Sequence, residues 1–173
     1  PTYGKLGGAL TIYEENADGS LKDARVYRNI IENQSIVGVA YKDGIVYVSS
    51  YIQGGLGSTP TESEAKIAMV DEATGQVLKE VYLQIPELTS RPTFIGDLSF
   101  GDDGLLWGVT GTDGTVFALN PDNLEVVKYQ RLYPGKTHAN GFRPYYIRWG
   151  QDGYMYTNVS NKLIDLDTET FEY

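Results

Sequence analysis

The chain has 173 residues, enough to bury a proper core, and a formal charge of -9 that argues against a nucleic-acid binder, whose phosphate contacts need clustered Lys and Arg. It holds no cysteine and one histidine, His138, which excludes zinc ribbons, disulfide frameworks, thiol nucleophiles and multi-histidine metal centres. No apolar run is long enough for a membrane helix.

Read from the start, residues 9–13 and 24–28 are predicted strands on either side of an Asp18-Gly19 turn. A longer unit follows. Residues 35–41 form a strand, Asp43-Gly44 turns it, and residues 45–49 return. A third strand over 66–71 and a fourth over 77–83 flank the turn Glu72-Ala73-Thr74-Gly75. The same order recurs as 95–100, Asp103-Gly104, 105–109, 115–120, Pro121-Asp122-Asn123 and 126–132. It recurs again as 146–149, Asp152-Gly153, 154–158, 162–167 and Thr168-Glu169-Thr170, with the start of a fourth strand at 171–173. Asp-Gly between alternating apolar residues predicts type I′ hairpins, because that turn needs positive φ.

The Asp-Gly marks at 43, 103 and 152 are 60 and 49 residues apart. Four-stranded propeller blades repeat at roughly 40 to 50 residues, and the insertion 53–65 accounts for the longer unit. No segment keeps a helical apolar period. The expected fold is therefore all-β, about three and a half β-propeller blades forming part of a seven-bladed ring. Residues 1–31 are the second half of a blade, and 32–88 a blade carrying the insertion 53–65. Residues 89–140 form another blade and 141–173 a nearly complete one. A sandwich fits less well, since sandwiches do not repeat a four-strand unit this closely. The chain opens at Pro1 without Met, so it reads as cut from something longer, with the rest of the ring supplied in cis or by a second copy.

Meander topology sorts the connections by face. The turns from first to second and from third to fourth strand are all tight. The long segments 53–65, 84–93, 134–144 and the shorter 32–34 lie on the other face. Long loops on one rim of a rigid scaffold are where binding residues concentrate. The candidate binding residues there are Gln34, Tyr51, Gln53, Glu62, Glu64, Arg91, His138, Asn140, Arg143 and Tyr145. Aromatic faces with amide, carboxylate and guanidinium groups suit a sugar, with its apolar ring face and rim of hydroxyls. Arg91-Pro92 and Arg143-Pro144 stand at comparable places before a first strand, so packing between blades competes with ligand contact there. His138 lies in a hydrophilic loop, and as a general base it needs a cleft and an oriented partner. Tyr47, Trp107 and Tyr156 repeat at one blade position, which predicts packing between blades. The glycine-rich stretch 54–59 lacks the Lys and the helix of a phosphate loop and reads as a flexible or tightly turned insertion.

The stretches 28–37, 53–62 and Leu105-Leu106-Trp107-Gly108 resemble the WD40-like, YVTN and quinoprotein-type propellers of bacterial secreted and surface proteins. The resemblance spans nearly the whole chain at the level of the blade. It implies an extracellular or cell-surface location, which the abundance of Tyr and Gly and the lack of Cys also suit. The tryptophan docking motifs of quinone-dependent dehydrogenases are missing, so no cofactor and no metal are expected. Three functions compete on this scaffold. One is a binding module contacting glycan or protein through the long-loop face. Another is an enzyme, a lyase or hydrolase on carbohydrate or a lactone, with acid, base or charge stabilisation from Glu62, Glu64, His138 or Arg143. The last is a structural repeat without a ligand.

Overall fold

A computed structural model of the protein describes residues 3–88, 90–111, 113–134, 146–159 and 161–173. These residues form no helix and the strands β1 (Ala9–Glu15), β2 (Leu21–Arg28), β3 (Ser35–Lys42), β4 (Ile45–Tyr51), β5 (Lys66–Asp71), β6 (Val77–Tyr82), β7 (Ile95–Phe100), β8 (Leu106–Thr110), β9 (Thr115–Leu119), β10 (Val126–Arg131), β11 (Ile147–Trp149), β12 (Met155–Val159) and β13 (Lys162–Leu166). Each sheet is a meander in chain order. β1 pairs with β2, β3 to β6 and β7 to β10 make two four-stranded sheets, and β11 to β13 make a three-stranded one. The pairings are antiparallel.

The core lies between sheets. Leu10, Ile12 and Tyr27 of the first sheet pack on Val46, Val48, Ala68 and Val70 of the second. Ala40, Tyr47 and Ile67 of the second meet Leu98, Leu106, Phe117 and Leu119 of the third. Trp107, Val109, Val116 and Ala118 of the third meet Ile147, Met155, Ile164 and Leu166 of the last. A sheet covered on both faces needs strands without polar alternation, and β8 and β9 are buried at every position. Consecutive meanders stacked face to face in this way are a run of β-propeller blades.

Neighbouring blades come closest at their first strands. β3 is bulged between Ile36 and Val39, and β7 between Ile95 and Leu98. At the first bulge Gly38 N donates to Ser49 Oγ (2.8 Å), which donates to Gly96 O of the next blade (2.6 Å). A Cβ on Gly38 would stand 2.5 Å from that Gly96 oxygen, so this position needs a glycine.

The Asp-Gly turns differ from the expectation of three type I′ hairpins. Asp43 and Gly44 both have positive φ, 50° and 83°, as that turn demands. At the other two only Gly104 (76°) and Gly153 (85°) are positive. Those loops are one residue longer, and Gly101 N donates to Leu105 O, Gly150 N to Tyr154 O. The aspartates instead cap the turn, Asp103 Oδ1 accepting from Leu105 N and Asp152 Oδ1 from Tyr154 N. Residues 171–173 also differ, since they form no strand. Asp167 N donates to Glu172 O to close the turn, and Tyr133 N donates to the Tyr173 hydroxyl oxygen.

Candidate functional site

The long-loop face is held by a buried polar network that starts at the last residue of β4 but one. Ser50 Oγ accepts the N–H of Lys66 (2.7 Å), joining the end of β4 to the start of β5, and donates to Gln34 Oε1 (2.5 Å). The Gln34 amide donates in turn to the Glu64 carbonyl (3.0 Å). Gln34 has no exposed surface and both ends of its side chain are satisfied within the chain, so it positions the Glu64 backbone and offers nothing to a ligand. The Glu64 side chain is 7% exposed, and its Oε2 accepts from Arg91 Nη1 at 3.0 Å. The Arg91 side chain is 76% exposed. A buried carboxylate thus holds an otherwise open guanidinium.

This pair borders a cleft of about 630 Å³ lined by Glu64, Tyr82, Leu83, Gln84, Ile85, Pro86, Leu88, Ser90, Arg91 and Pro92. The connection from β6 to β7 wraps around it. Leu88 N donates to Ile85 O at the tip, and Ala65 N to Pro92 O (2.7 Å) at the neck. Leu83, Ile85 and Leu88 reach down into the core between the second and third sheets and form an apolar floor. Tyr82, Gln84 and Arg91 are exposed. Lys66 Nζ sits 5.2 Å from the Tyr82 ring centre, and its hydrogen bond with Glu80 holds its pKa above the ordinary lysine value, Glu62 adding to this by charge.

The other sequence candidates fall elsewhere. Tyr51 is half-buried, bridged to Phe94 with the rings edge to face at 5.4 Å, next to the loops rather than in the cleft. Gln53 accepts from Ser35 Oγ through its backbone carbonyl (2.7 Å). Glu62 is half-buried near Lys66. His138, Asn140, Arg143 and Tyr145 lie outside the described residues. Of the sequence candidates, the cleft brings together Glu64 and Arg91. The glycine-rich insertion is tightly turned: Ser58 N and Oγ both donate to Gly55 O, while Gly55 N donates to Lys5 O and Leu56 O accepts from Gly4 N.

Sequence reasoning missed a repeated device on this face. Thr110 and Thr115 stand in the third sheet where Ser50 and Lys66 stand in the second, and Thr115 N donates to Thr110 Oγ1 (3.0 Å). Asp113, like Glu64, lies two residues before the third strand and is buried, with Oδ1 accepting from both threonine hydroxyls. Its Oδ2 lies 3.9 Å from Arg131 Nε. The detectable signal was a hydroxyl closing the second strand, with an acid two residues before the third.

The opposite face carries an acidic cleft of about 300 Å³ that includes Asp102, Asp103, Asp152, Asp167, Glu169 and Lys128. Three of these carboxylates are occupied in turns. Asp103 accepts from Trp107 Nε1, Asp152 from Tyr156 Oη, and Asp167 from Glu169 N and Thr170 N. Among the described residues no group of three His, Cys, Asp or Glu is arranged to hold a metal ion.

No protein-family model and no curated protein matches the chain. Its fold is similar to that of solved propellers. A streptogramin B lyase matches with a TM-score of 0.61 at 16% identity, over 94% of this chain and 46% of that one. A virginiamycin B lyase from Staphylococcus aureus matches at 0.55 and 13%, over 93% and 43%. The extracellular domain of a B. thetaiotaomicron protein assigned to the hybrid two component systems matches at 0.56 and 14%, over 93% and 22%. The chain spans less than half the length of each of these structures. At these identities the likeness is one of fold.

Proposed function

We propose that this chain is the ligand-binding part of an extracellular bacterial β-propeller, and that it takes carbohydrate in the cleft beside Glu64 and Arg91. The observation that carries this reading is the cleft itself. An apolar floor of Leu83, Ile85 and Leu88 lies under a rim of Tyr82, Gln84 and Arg91, matching the apolar face and hydroxyl edge of a sugar ring. Its volume of about 630 Å³ falls in the range of small-molecule sites. The buried Glu64 keeps the rim guanidinium in place before a ligand arrives, which reduces the ordering cost of binding. The fold likeness to extracellular domains of B. thetaiotaomicron proteins supports the location, and the blade-level resemblance to YVTN and quinoprotein-type propellers agrees with it. The remaining blades, in cis or from a second copy, would cover the sheet faces that carry Tyr13, Val26 and Leu163. The test is retention of the full chain on a panel of immobilised polysaccharides, with Ser90→Trp filling the cleft. Loss of retention in that variant, with unchanged melting, is the expected result. Retention that survives Ser90→Trp, or no retention on any polysaccharide, overturns the reading.

A further inference from the structure

The guanidinium of Arg91 has five N–H donors in a planar fork, and the described contacts use Nη1 towards Glu64. Glu64 cannot swing out to follow a ligand, because its side chain is 7% exposed and its peptide is tied to Gln34. One edge of the fork is therefore anchored, and the 76% exposure of the side chain leaves the rest open beside the cleft. Among the described residues Glu64 is the acid that pairs with Arg91, and Glu80 pairs with Lys66. An anchored guanidinium with a free edge matches a second carboxylate in a bidentate pair, which a lysine ammonium cannot reproduce.

We infer that the sugar taken by this cleft is an acidic one, a hexuronate whose carboxylate pairs with the free edge of Arg91 while its ring covers the apolar floor. This rests on the carbohydrate reading of the same cleft and narrows it to a chemical class.

The test is calorimetric titration of the full chain with trigalacturonate and with its methyl ester, which keeps the rings and linkages and removes the charge. Trigalacturonate is expected to bind at least tenfold tighter than the ester. Arg91→Lys, which keeps a cation for Glu64, is expected to remove most of that difference, weakening binding of the acid far more than binding of the ester, with the melting temperature unchanged. Equal affinity for acid and ester, both blocked by Ser90→Trp, overturns the acidic assignment and leaves the carbohydrate reading standing. A preference for the acid that persists in Arg91→Lys overturns the assignment of the fork. No binding of trigalacturonate overturns the inference, and the polysaccharide panel then decides the broader reading separately.

Discussion

Trp107 meets Trp149 of the next blade edge to face, with ring centres 6.3 Å apart and planes at 77°. One blade earlier Tyr47 meets Phe100 in the same way, at 5.3 Å and 83°. The second residue of each pair ends the first strand of its blade, so one aromatic contact repeats at successive interfaces. Trp107 is completely buried, packs on Phe171 and donates to Asp103. Trp107→Ala is therefore expected to cost about 3–5 kcal/mol, and Trp107→Phe clearly less. Urea titration of both variants checks the order, which would fail if the two lost equal stability.

A second repeat concerns left-handed residues. The turns between third and fourth strands place Gly75, Leu124 and Phe171 at the same point, with φ of 72°, 57° and 61°. Phe171 packs on Trp107 of the preceding blade, and Leu124 is buried in the core that includes Tyr47 of its preceding blade. At Gly75 the space is already filled by the Tyr27 ring. Gly75→Leu is expected to destabilise by about 1–3 kcal/mol through overpacking. Leu124→Gly relieves roughly 1–2 kcal/mol of backbone strain and loses about 1.5–3 kcal/mol of burial, a smaller net loss. Thermal melts of the two variants compare them directly.

Thr157 carries a buried hydroxyl without a hydrogen-bond partner among the described residues, in a strand that packs against the third sheet. An unmade hydrogen bond costs its desolvation, while valine has nearly the same shape. Thr157→Val is expected to be neutral or to stabilise by up to about 1 kcal/mol. A loss of stability on denaturation would show that the hydroxyl is satisfied in solution.

Gln34 joins Ser50 to Glu64 inside the protein. Gln34→Leu leaves the Glu64 carbonyl without its donor, while Ser50 Oγ keeps its bonds to Lys66, and is expected to cost about 1–3 kcal/mol. It should also weaken ligand binding, because Glu64 then loses the contact that fixes its backbone. Binding that is unchanged in a folded Gln34→Leu protein would separate the network from the cleft.

The turn carboxylates predict acid sensitivity. Hydrogen bonds from Thr74 to Asp71, from Tyr156 and Tyr154 to Asp152, and from Thr170 and Glu169 to Asp167 hold each pKa below the ordinary value of 3.8. A carboxylate with a depressed pKa stabilises the fold above its unfolded value and loses that contribution as pH falls through its folded value. The melting temperature is expected to be insensitive to these groups above about pH 5 and to fall below about pH 4. Replacing all three with Asn should flatten the acid limb measured by melts between pH 7 and pH 3.

By itself the sequence determined the blades, because Asp-Gly hairpins and apolar strands at a repeating interval are local signals. It also determined the division between a face of tight turns and a face of long loops. The repeat of Tyr47, Trp107 and Tyr156 foretold aromatic packing, and the first two make it. Two turns and the last three residues departed from the pattern, since one extra loop residue changes the φ a turn requires. Only the tertiary structure decided which polar residues on the long-loop face are open to a ligand. Gln34 and Arg91 look equally polar in the chain, yet one is sealed between loops and the other is held outward by Glu64. That difference depends on contacts between residues 16 to 30 positions apart, where burial and hydrogen-bond satisfaction are set by the stacked blades and have no local signature.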